Sequence, residues 1–285
     1  MRITKQLYVV GLVALGLVIF SCQKMERPKL GDYTKDANPP GGPLKFYAAF
    51  DGTTADPRMN AVDSIRANFP SDNPLSSVPG VSGQAIKGEN GKAIKYPSPN
   101  DFAASTSFTV AFWMKNTPRA AGDGPEFLFS VPSKEYWHNS GLFMLIEDGS
   151  LSSTSAAQIS FVVQDNWFIF DGTNKMKDII NGNWHHLVFT YDETSSKLAY
   201  YIDGLPIPNL PASLTDFKDG GSPKGKLIFK QVQGLVIGGW NKHVSGIEGP
   251  TDAWINSFTG SMDQFRLYGK ALTASEVLAL YNSKL

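Results

Sequence analysis

Cysteine is almost absent from this chain: Cys22 is the only one among 285 residues, so a disulfide within the chain is excluded. Charge is also scarce at 18% of residues, and 26 basic and 26 acidic side chains cancel to a net charge of zero. That balance argues against nucleic acid as a partner, because binding phosphates requires an excess of basic residues. The apolar run at residues 7–20 is shorter than the roughly 20 residues of a membrane-spanning helix.

What the sequence does contain is typical of a large globular domain. Hydrophobic residues make up 42% and aromatic residues 12%, with 27 glycines and 18 prolines. This composition excludes a disordered chain, a long coiled coil and a collagen-like fibre. The length is enough for one large domain or two small ones, each with its own core.

The N-terminus has the pattern of an export signal. Arg2 and Lys5 precede the apolar run, which ends at Ile19-Phe20-Ser21-Cys22. A small residue followed by Cys at this place resembles the lipobox of bacterial lipoproteins, in which the chain is cut before the Cys and the Cys is acylated. The resemblance implies a signal peptide at 1–21, lipid attachment at Cys22 and a location in the bacterial cell envelope, at the outer membrane on either face. The competing interpretation is an ordinary signal peptide followed by an unmodified thiol.

Residues 22–43 predict a flexible tether, because they lack apolar periodicity and end in Pro39-Pro40-Gly41-Gly42-Pro43. Removal of residues 1–21 would take away two bases and no acids, leaving a net charge of −2. The folded domain is expected to occupy residues 44–285.

That domain has the pattern of an all-β protein. Along 107–115, Phe108, Val110, Phe112 and Met114 alternate with Thr109, Ala111 and Trp113, so both faces of a central strand are apolar. Further strands are expected near 45–51, 126–131, 141–147, 157–163, 166–171, 184–191, 197–203, 226–238 and 258–267. One short helix is predicted at the C-terminus, where Thr273 and Glu276 form a capping box. Many short strands without alternating helices indicate a sandwich or jelly roll.

Eight short motifs along the domain have the order and spacing of a known family. They lie at 50–52 (Phe-Asp-Gly), 83–86, 107–114, 183–192, 201–204, 236–239, 258–268 and 271–277. Together they resemble the laminin-G-like, concanavalin A-like jelly-roll domains of bacterial surface proteins. The resemblance implies a two-sheet jelly-roll sandwich, a fold that carries lectins, hydrolases and adhesion modules alike.

The sequence gives little support for an enzyme. Retaining glycosidases need two carboxylates a few ångströms apart. On this fold the acids usually lie on one strand in the pattern Glu-x-Asp-x-x-Glu or a close variant, because residues two apart share a face of a strand. No such run occurs here, because Glu147 and Asp148 are adjacent and so face opposite sides of a strand. His185 and His186 are likewise adjacent, and both are interpreted as parts of the strand framework. We therefore assign no catalytic residue.

A structural calcium ion is implied by the family resemblance. Laminin-G-like domains often bind one calcium near a sandwich edge through carboxylates and main-chain carbonyls. The matching positions are Asp51 and Asp263, which the pairing of the first and last strands would bring together. The alternative is that each Asp only accepts backbone amides at a turn.

Three loops combine aromatic rings with polar neighbours, as a shallow sugar site requires. The candidate ligand-binding residues are Tyr136, Trp137, His138, Trp240, Asn241 and Trp254. The alternative is that these rings cover the ends of the sandwich and are mostly buried.

The leading hypothesis is a membrane-anchored, non-catalytic lipoprotein that captures polysaccharide at the cell envelope, alongside envelope transport or hydrolase proteins. A second is a glycoside hydrolase or lyase whose acids come from separate strands. A third is a protein-binding adhesion module.

Overall fold

The computed structural model describes residues 42–51, 73–119, 123–148 and 156–284, without the side chain of Asp148. The predicted signal peptide, Cys22 and all but the last two residues of the predicted tether lie outside these ranges. Among the described residues, no helix has the length and apolar character needed to cross a membrane.

Two large, mainly antiparallel sheets form the domain, with strands numbered β1–β17 in chain order. The first sheet contains eight strands, in the spatial order β12-β11-β10-β5-β17-β3-β2 with β1 also paired to β17. Its strands are β1 (Leu44–Ala48), β2 (Ser76–Pro79), β3 (Gln84–Lys87), β5 (Phe108–Lys115), β10 (Trp184–Asp192), β11 (Lys197–Ile202), β12 (Leu205–Pro206) and β17 (Ser261–Tyr268).

The second sheet contains seven strands, in the order β4-β15-β6-β7-β8-β9, and β16 adds to β6 in parallel. Its strands are β4 (Ile94–Tyr96), β6 (Glu126–Pro132), β7 (Ser140–Asp148), β8 (Gln158–Val163), β9 (Asn166–Phe170), β15 (Leu235–Ile237) and β16 (Asn256–Ser257). A separate hairpin pairs β13 (Lys218–Asp219) with β14 (Ser222–Pro223). The helices are α1 (Ala212–Thr215) and α2 (Ala274–Ser283), with 3-10 turns at Asn100–Ala104, Gly172–Asn174 and Asn241–His243.

The main core lies between the two sheets and is rich in aromatic rings. Phe112 of β5 stacks on Phe265 of β17 and meets Phe129 of the opposite sheet edge-on, with ring centroids 5.9 Å apart in both pairs. The predicted alternation in β5 is confirmed, since Phe112 faces this core while Trp113 faces the opposite side of the sheet. Rings packed edge-on and offset contribute about 0.5–1.5 kcal/mol per pair beyond their buried area.

The C-terminal helix α2 covers the outer face of the first sheet. Tyr281 stacks on Trp113 with ring centroids 5.4 Å apart, and Val277 is fully buried against the same face. The predicted capping box is confirmed: Thr273 Oγ1 accepts the amide of Glu276, and Glu276 Oε2 accepts the amide of Thr273. Strand β5 is therefore buried on both faces because α2 supplies the second layer.

Two features of the strand pattern differ from expectation. The strand expected at 226–238 is wrong in its extent, because only Leu235–Ile237 pairs in a sheet. Gln231 at φ 49° and Gly234 at φ 145° turn the backbone out of the extended conformation before that point. The structure also adds β2, β3 and β4, none of which is among the expected strands. Each of these three strands has only three or four residues, too few for a clear alternation.

Candidate functional site

Trp137 is the most exposed large apolar side chain of the described domain, with 82% of its surface accessible. It lies in the loop between β6 and β7, which closes through hydrogen bonds from Asn139 N to Tyr136 O and from Ser133 N to Asn139 O. Asn139 has φ 53°, a left-handed conformation that Asn tolerates better than most residues. The loop is thus a defined turn that holds the indole ring out in solvent.

Two further rings, contributed by His138 and Trp167, extend the indole of Trp137 into a surface. The ring centroids of Trp137 and His138 are 4.2 Å apart, and those of His138 and Trp167 are 5.2 Å apart. Trp167 belongs to β9 and is 37% exposed. We call Trp137, His138 and Trp167 the aromatic surface.

Asp165 holds the aromatic surface in place. Its carboxylate accepts the amide of Trp137 at 3.1 Å and contacts His138 Nδ1 at 3.3 Å. Gln164 and Asp165 form the β8–β9 turn, both with positive φ, a conformation typical of a tight hairpin. The hairpin turn of one strand pair therefore fixes the loop of the neighbouring pair.

Trp240 and Asn241, two of the predicted ligand-binding residues, lie beneath this surface rather than in it. Trp240 is 1% exposed and stacks face to face on Phe127, with ring centroids 4.4 Å apart. Asn241 is fully buried, where it accepts a hydrogen bond from Ser130 Oγ at 2.8 Å and donates to the carbonyl of Asn139 at 2.7 Å. Both residues support the 133–139 loop from below.

Tyr136 and Trp254 lie outside the aromatic surface. Tyr136 is half-buried and donates its hydroxyl hydrogen to the carbonyl of Ile228 at 3.1 Å. Burial, together with the charges of Glu135 and Asp165, raises the pKa of Tyr136 to about 12. Trp254 is 51% exposed, and its ring centroid lies 6.0 Å from that of Phe127.

Sequence reasoning missed Trp167 and Asp165. The signal for Trp167 is the alternation in β9, where Phe168 and Phe170 point into the core and Trp167 and Ile169 point outward. Asp165 lies in a two-residue turn whose sequence, Gln-Asp, is not a typical hairpin signal.

Asp51 and Asp263 lie around one short loop at the edge of the first sheet. Strand β1 pairs with β17 as expected, and Asp51 follows the end of β1. A bulge after Asp263 changes the register of β17 against β5, with Gln264 at φ 50°. The β2–β3 turn bonds to both carboxylates: Asp51 Oδ1 accepts the amide of Gln84 at 2.7 Å, and Asp263 Oδ2 accepts that of Val81 at 2.7 Å.

The chemistry of this pair fits a bound cation. Asp263 Oδ1 is buried and has no hydrogen-bond partner among the described residues. Burial, with a smaller contribution from the charge of Asp51, raises the pKa of Asp263 to about 7 despite the opposing Val81 amide. A Cβ at Gly80 would collide with the Asp263 carboxylate, and one at Gly83 with that of Asp51. Only glycine at these two positions lets the backbone come so close to both carboxylates.

The described residues place two carboxylates at this loop and contain no cluster of three or more His, Cys, Asp or Glu side chains that could hold a metal ion. Calcium takes six to eight oxygens, so the remaining ligands would be loop carbonyls and water. The two carboxylates alone would therefore supply only part of a calcium coordination shell.

His185 and His186 point in opposite directions, as their adjacency in a strand predicts. His185 Nδ1 contacts Asp203 at 2.8 Å and its Nε2 contacts Asn181 at 3.0 Å. His186 is fully buried beside Trp113, with ring centroids 5.0 Å apart, and burial lowers its pKa to about 3. Both histidines are thus held in the sheet framework.

Residues 88–227 match the family described as the concanavalin A-like lectin/glucanases superfamily, laminin G type. The domain is a concanavalin A-like jelly roll. Curated relatives of this laminin-G-like domain include neuronal pentraxin-1 of Rattus norvegicus, which is 26% identical over 186 residues, covering 62% of this chain and 34% of that protein. The human neuronal pentraxin receptor is 23% identical over 181 residues, covering 62% and 29%. The chain therefore spans about a third of the length of these relatives.

Solved structures with the same fold come from several kinds of protein. Domain 4 of AbnA, a GH43 extracellular arabinanase from Geobacillus stearothermophilus in complex with arabinotriose, superposes with a TM-score of 0.50 at 17% identity, covering 84% of this chain and 98% of that one. The binding domain of Paraclostridial Mosquitocidal Protein 1 gives a TM-score of 0.55 at 17% identity, covering 85% and 52%. At these identities the likeness establishes the fold alone.

Proposed function

We propose that this chain is a lipid-anchored, non-catalytic protein that captures polysaccharide at the bacterial cell envelope. The observation that carries the proposal is the aromatic surface, above all the 82% exposure of Trp137 in a closed loop. Exposing an indole ring to water is unfavourable, and a fixed apolar surface of this kind is typical of a binding site. A sugar ring offers the matching apolar C–H face.

Polar groups at the edge of the aromatic surface would bind sugar hydroxyls. Asp165 is exposed and keeps acceptor capacity beyond its contacts with Trp137 and His138, because an ionised carboxylate accepts about four hydrogen bonds. His138 adds a ring nitrogen that donates or accepts according to its tautomer. An aromatic plate with a few fixed polar groups is the composition expected of a shallow sugar site.

The location is proposed from the sequence alone. Acylation at Cys22 and the tether at 22–43 would hold the domain at the outer membrane, close to envelope transporters or hydrolases. The comparisons bear on the ligand rather than on the location: domain 4 of the extracellular arabinanase AbnA has the same fold and was solved in complex with arabinotriose.

We also propose that Asp51 and Asp263 hold a structural calcium ion. Support comes from the unpartnered Oδ1 of Asp263 and from the two glycines that make room for the carboxylates. Bound calcium would neutralise the two like charges and fix the β2–β3 turn to the end of β1.

The carbohydrate proposal is tested by affinity electrophoresis of the full chain, kept in detergent, through gels containing a panel of polysaccharides. Retardation by at least one polysaccharide is expected, and it should be lost when Trp137 and Trp167 are both changed to Ala. Leu205→Ala is the matched control, because Leu205 is 65% exposed but lies in β12 of the other sheet. Retardation by none of the polysaccharides contradicts the proposal.

Two further measurements test the absence of catalysis and the extent of the binding surface. Release of reducing sugar from a bound polysaccharide would favour the glycoside hydrolase or lyase hypothesis over a non-catalytic one. Trp254→Ala shows whether the binding surface extends beyond the three rings, since Trp254 is exposed near Phe127 but is not in ring contact with Trp137.

A further inference from the structure

A row of lysines lies next to the aromatic surface. Residues 226–230 alternate strictly, so that Leu227 and Phe229 are buried while Lys226, Ile228 and Lys230 face solvent. The side chains of 226–230 therefore alternate as in a β-strand, although this described segment forms no strand in either sheet. It places two lysines and an exposed isoleucine along one edge of the domain.

Hydrogen bonds tie this segment to the two loops that carry the aromatic surface. The carbonyl of Ile228 accepts from Tyr136 Oη at 3.1 Å and from Gln164 Nε2 at 3.1 Å. Tyr136 precedes Trp137, and Gln164 precedes Asp165. The lysine segment therefore has a fixed position relative to Trp137 and Asp165.

Between the segment and the loops lies a cleft of about 230 Å³. It is lined by three lysines, Lys224, Lys226 and Lys230, together with Ile228, Glu135, Tyr136 and Gln164. Drug-sized pockets are typically about 300–1,000 Å³, so this cleft suits one substituted end of a sugar ring rather than a whole ligand.

The charges in the cleft do not balance. Glu135, its one acidic residue, is occupied by Lys230 at 2.8 Å and by Gln231 at 3.0 Å. Lys224 reaches Asp219 on the β13–β14 hairpin at 2.8 Å. Lys226 has no acidic partner among the described residues, so an unpaired positive charge remains at the cleft.

We propose that the glycan bound by this domain is acidic, and that its carboxylate or sulfate group lies in the cleft against Lys226 with Lys224 beside it. The inference rests on the proposed carbohydrate function and narrows it to a uronic acid or a sulfated sugar. The aromatic surface supplies the apolar contact, and the lysines supply selectivity for charge. An ammonium to carboxylate or sulfate contact is a charge-assisted hydrogen bond, stronger than the neutral kind.

The test compares polymers that differ only in charge. Binding of the full chain in detergent is measured to polygalacturonate and to its methyl-esterified form, and to dextran sulfate and uncharged dextran. We expect at least one acidic polymer to bind about tenfold more tightly than its neutral counterpart, with affinity falling as salt is added.

Lys226→Gln should weaken binding of that acidic polymer by about three- to tenfold, and Lys224→Gln with Lys226→Gln by more. Lys115→Gln is the matched control, because it removes the same charge at the far end of β5. The amide of Leu227 donates to the carbonyl of Thr106, just before the start of β5, and Lys115 is the last residue of that strand. At about 3.3 Å per residue, Lys115 lies up to about 30 Å from Thr106 along the strand.

The outcomes separate this inference from the function on which it rests. Equal binding of charged and neutral polymers that still needs Trp137 and Trp167 overturns the inference and leaves carbohydrate binding in place. The inference is also overturned if acidic polymers still bind after Trp137 and Trp167 are replaced. The same holds if Lys115→Gln weakens binding as much as Lys226→Gln does. Either result would show that the domain attracts acidic polymers through its overall charge rather than through the cleft. Binding to no polysaccharide overturns both proposals.

Discussion

Replacing Asp263 by Asn tests whether the two carboxylates at the sheet edge share a cation. The substitution keeps the shape of the side chain, and its amide oxygen can still accept the Val81 amide hydrogen that Asp263 Oδ2 accepts at 2.7 Å. It removes the negative charge that faces Asp51. Its effect on stability should therefore depend on pH and on calcium, whereas a merely structural Asp would give a constant effect.

The magnitude follows from the raised pKa of Asp263, about 7 in the fold against about 3.9 in an unfolded chain. Without metal and between about pH 4 and about pH 7, Asp263 is protonated in the folded state and ionised in the unfolded state. The free energy of unfolding therefore falls as pH rises through this range. Ionising Asp263 at about pH 8 then costs up to about 4 kcal/mol, at about 1.4 kcal/mol for each tenfold change in proton affinity. The Asn variant avoids this cost.

The assay is urea unfolding of wild type and Asp263→Asn at about pH 4.5 and about pH 8, each with chelator and with saturating calcium. With chelator, Asn should be more stable than wild type by about 2–4 kcal/mol at the higher pH and nearly equal at the lower one. With calcium at a hundredfold over its Kd, wild type should gain about 2.7 kcal/mol and the variant much less. His186 contributes a pH dependence of the opposite sign, because its lowered pKa makes the fold lose stability as pH falls below about 6.5. This contribution is the same in both proteins, so it cancels in the difference between their free energies of unfolding.

Two results would refute the reasoning. If calcium leaves the unfolding of wild type unchanged at both pH values, the carboxylates are only turn acceptors. If the difference between Asn and Asp is the same at both pH values under chelator, Asp263 is not held protonated by burial.

Three further predictions concern the framework and the loop support. The ring protons of His186 should show no titration in NMR spectra above about pH 4, because burial lowers its pKa to about 3, and a midpoint near the ordinary 6.5 would contradict this. Thr273→Ala should lower the free energy of unfolding by about 1 kcal/mol through loss of the helix cap, whereas Thr273→Ser should retain it. Asn241→Ala should cost about 2–4 kcal/mol in urea unfolding and weaken polysaccharide binding, because it leaves Ser130 and the carbonyls of Asn139 and Glu248 without this partner. Unchanged binding there would show that the 133–139 loop holds its shape without Asn241.

The fold could be predicted where the side-chain pattern is strong. The two apolar faces of β5 and the capping box of α2 are visible in the sequence because they depend on residues two to four positions apart. The segment 226–238 shows the limit of this reasoning. Its alternation at 226–230 is real, but hydrogen bonds to Tyr136 and Gln164 replace sheet pairing there.

The candidate sites depend on contacts between distant residues, and this decides which of them could be predicted. Asp51 and Asp263 could be matched because the first and last strands of this fold pair, as β1 and β17 do here. Trp240 could not be recognised as buried, because its stacking partner Phe127 is remote in the sequence. The same limit applies to Asp165, whose role depends on the neighbouring 133–139 loop.

Polysaccharide binding should not require calcium, because the two sites are built on different sheets. The aromatic surface comes from the β6–β7 loop and the β8–β9 hairpin of the second sheet. The carboxylate pair depends on β1, β17 and the β2–β3 turn of the first. Chelation at about pH 6 and low temperature, where the domain stays folded, should therefore leave the affinity for polysaccharide within about twofold while lowering the unfolding midpoint. If chelator abolishes binding while far-UV and near-UV circular dichroism stay unchanged, the cation itself contacts the sugar and Trp137 is not the centre of the site.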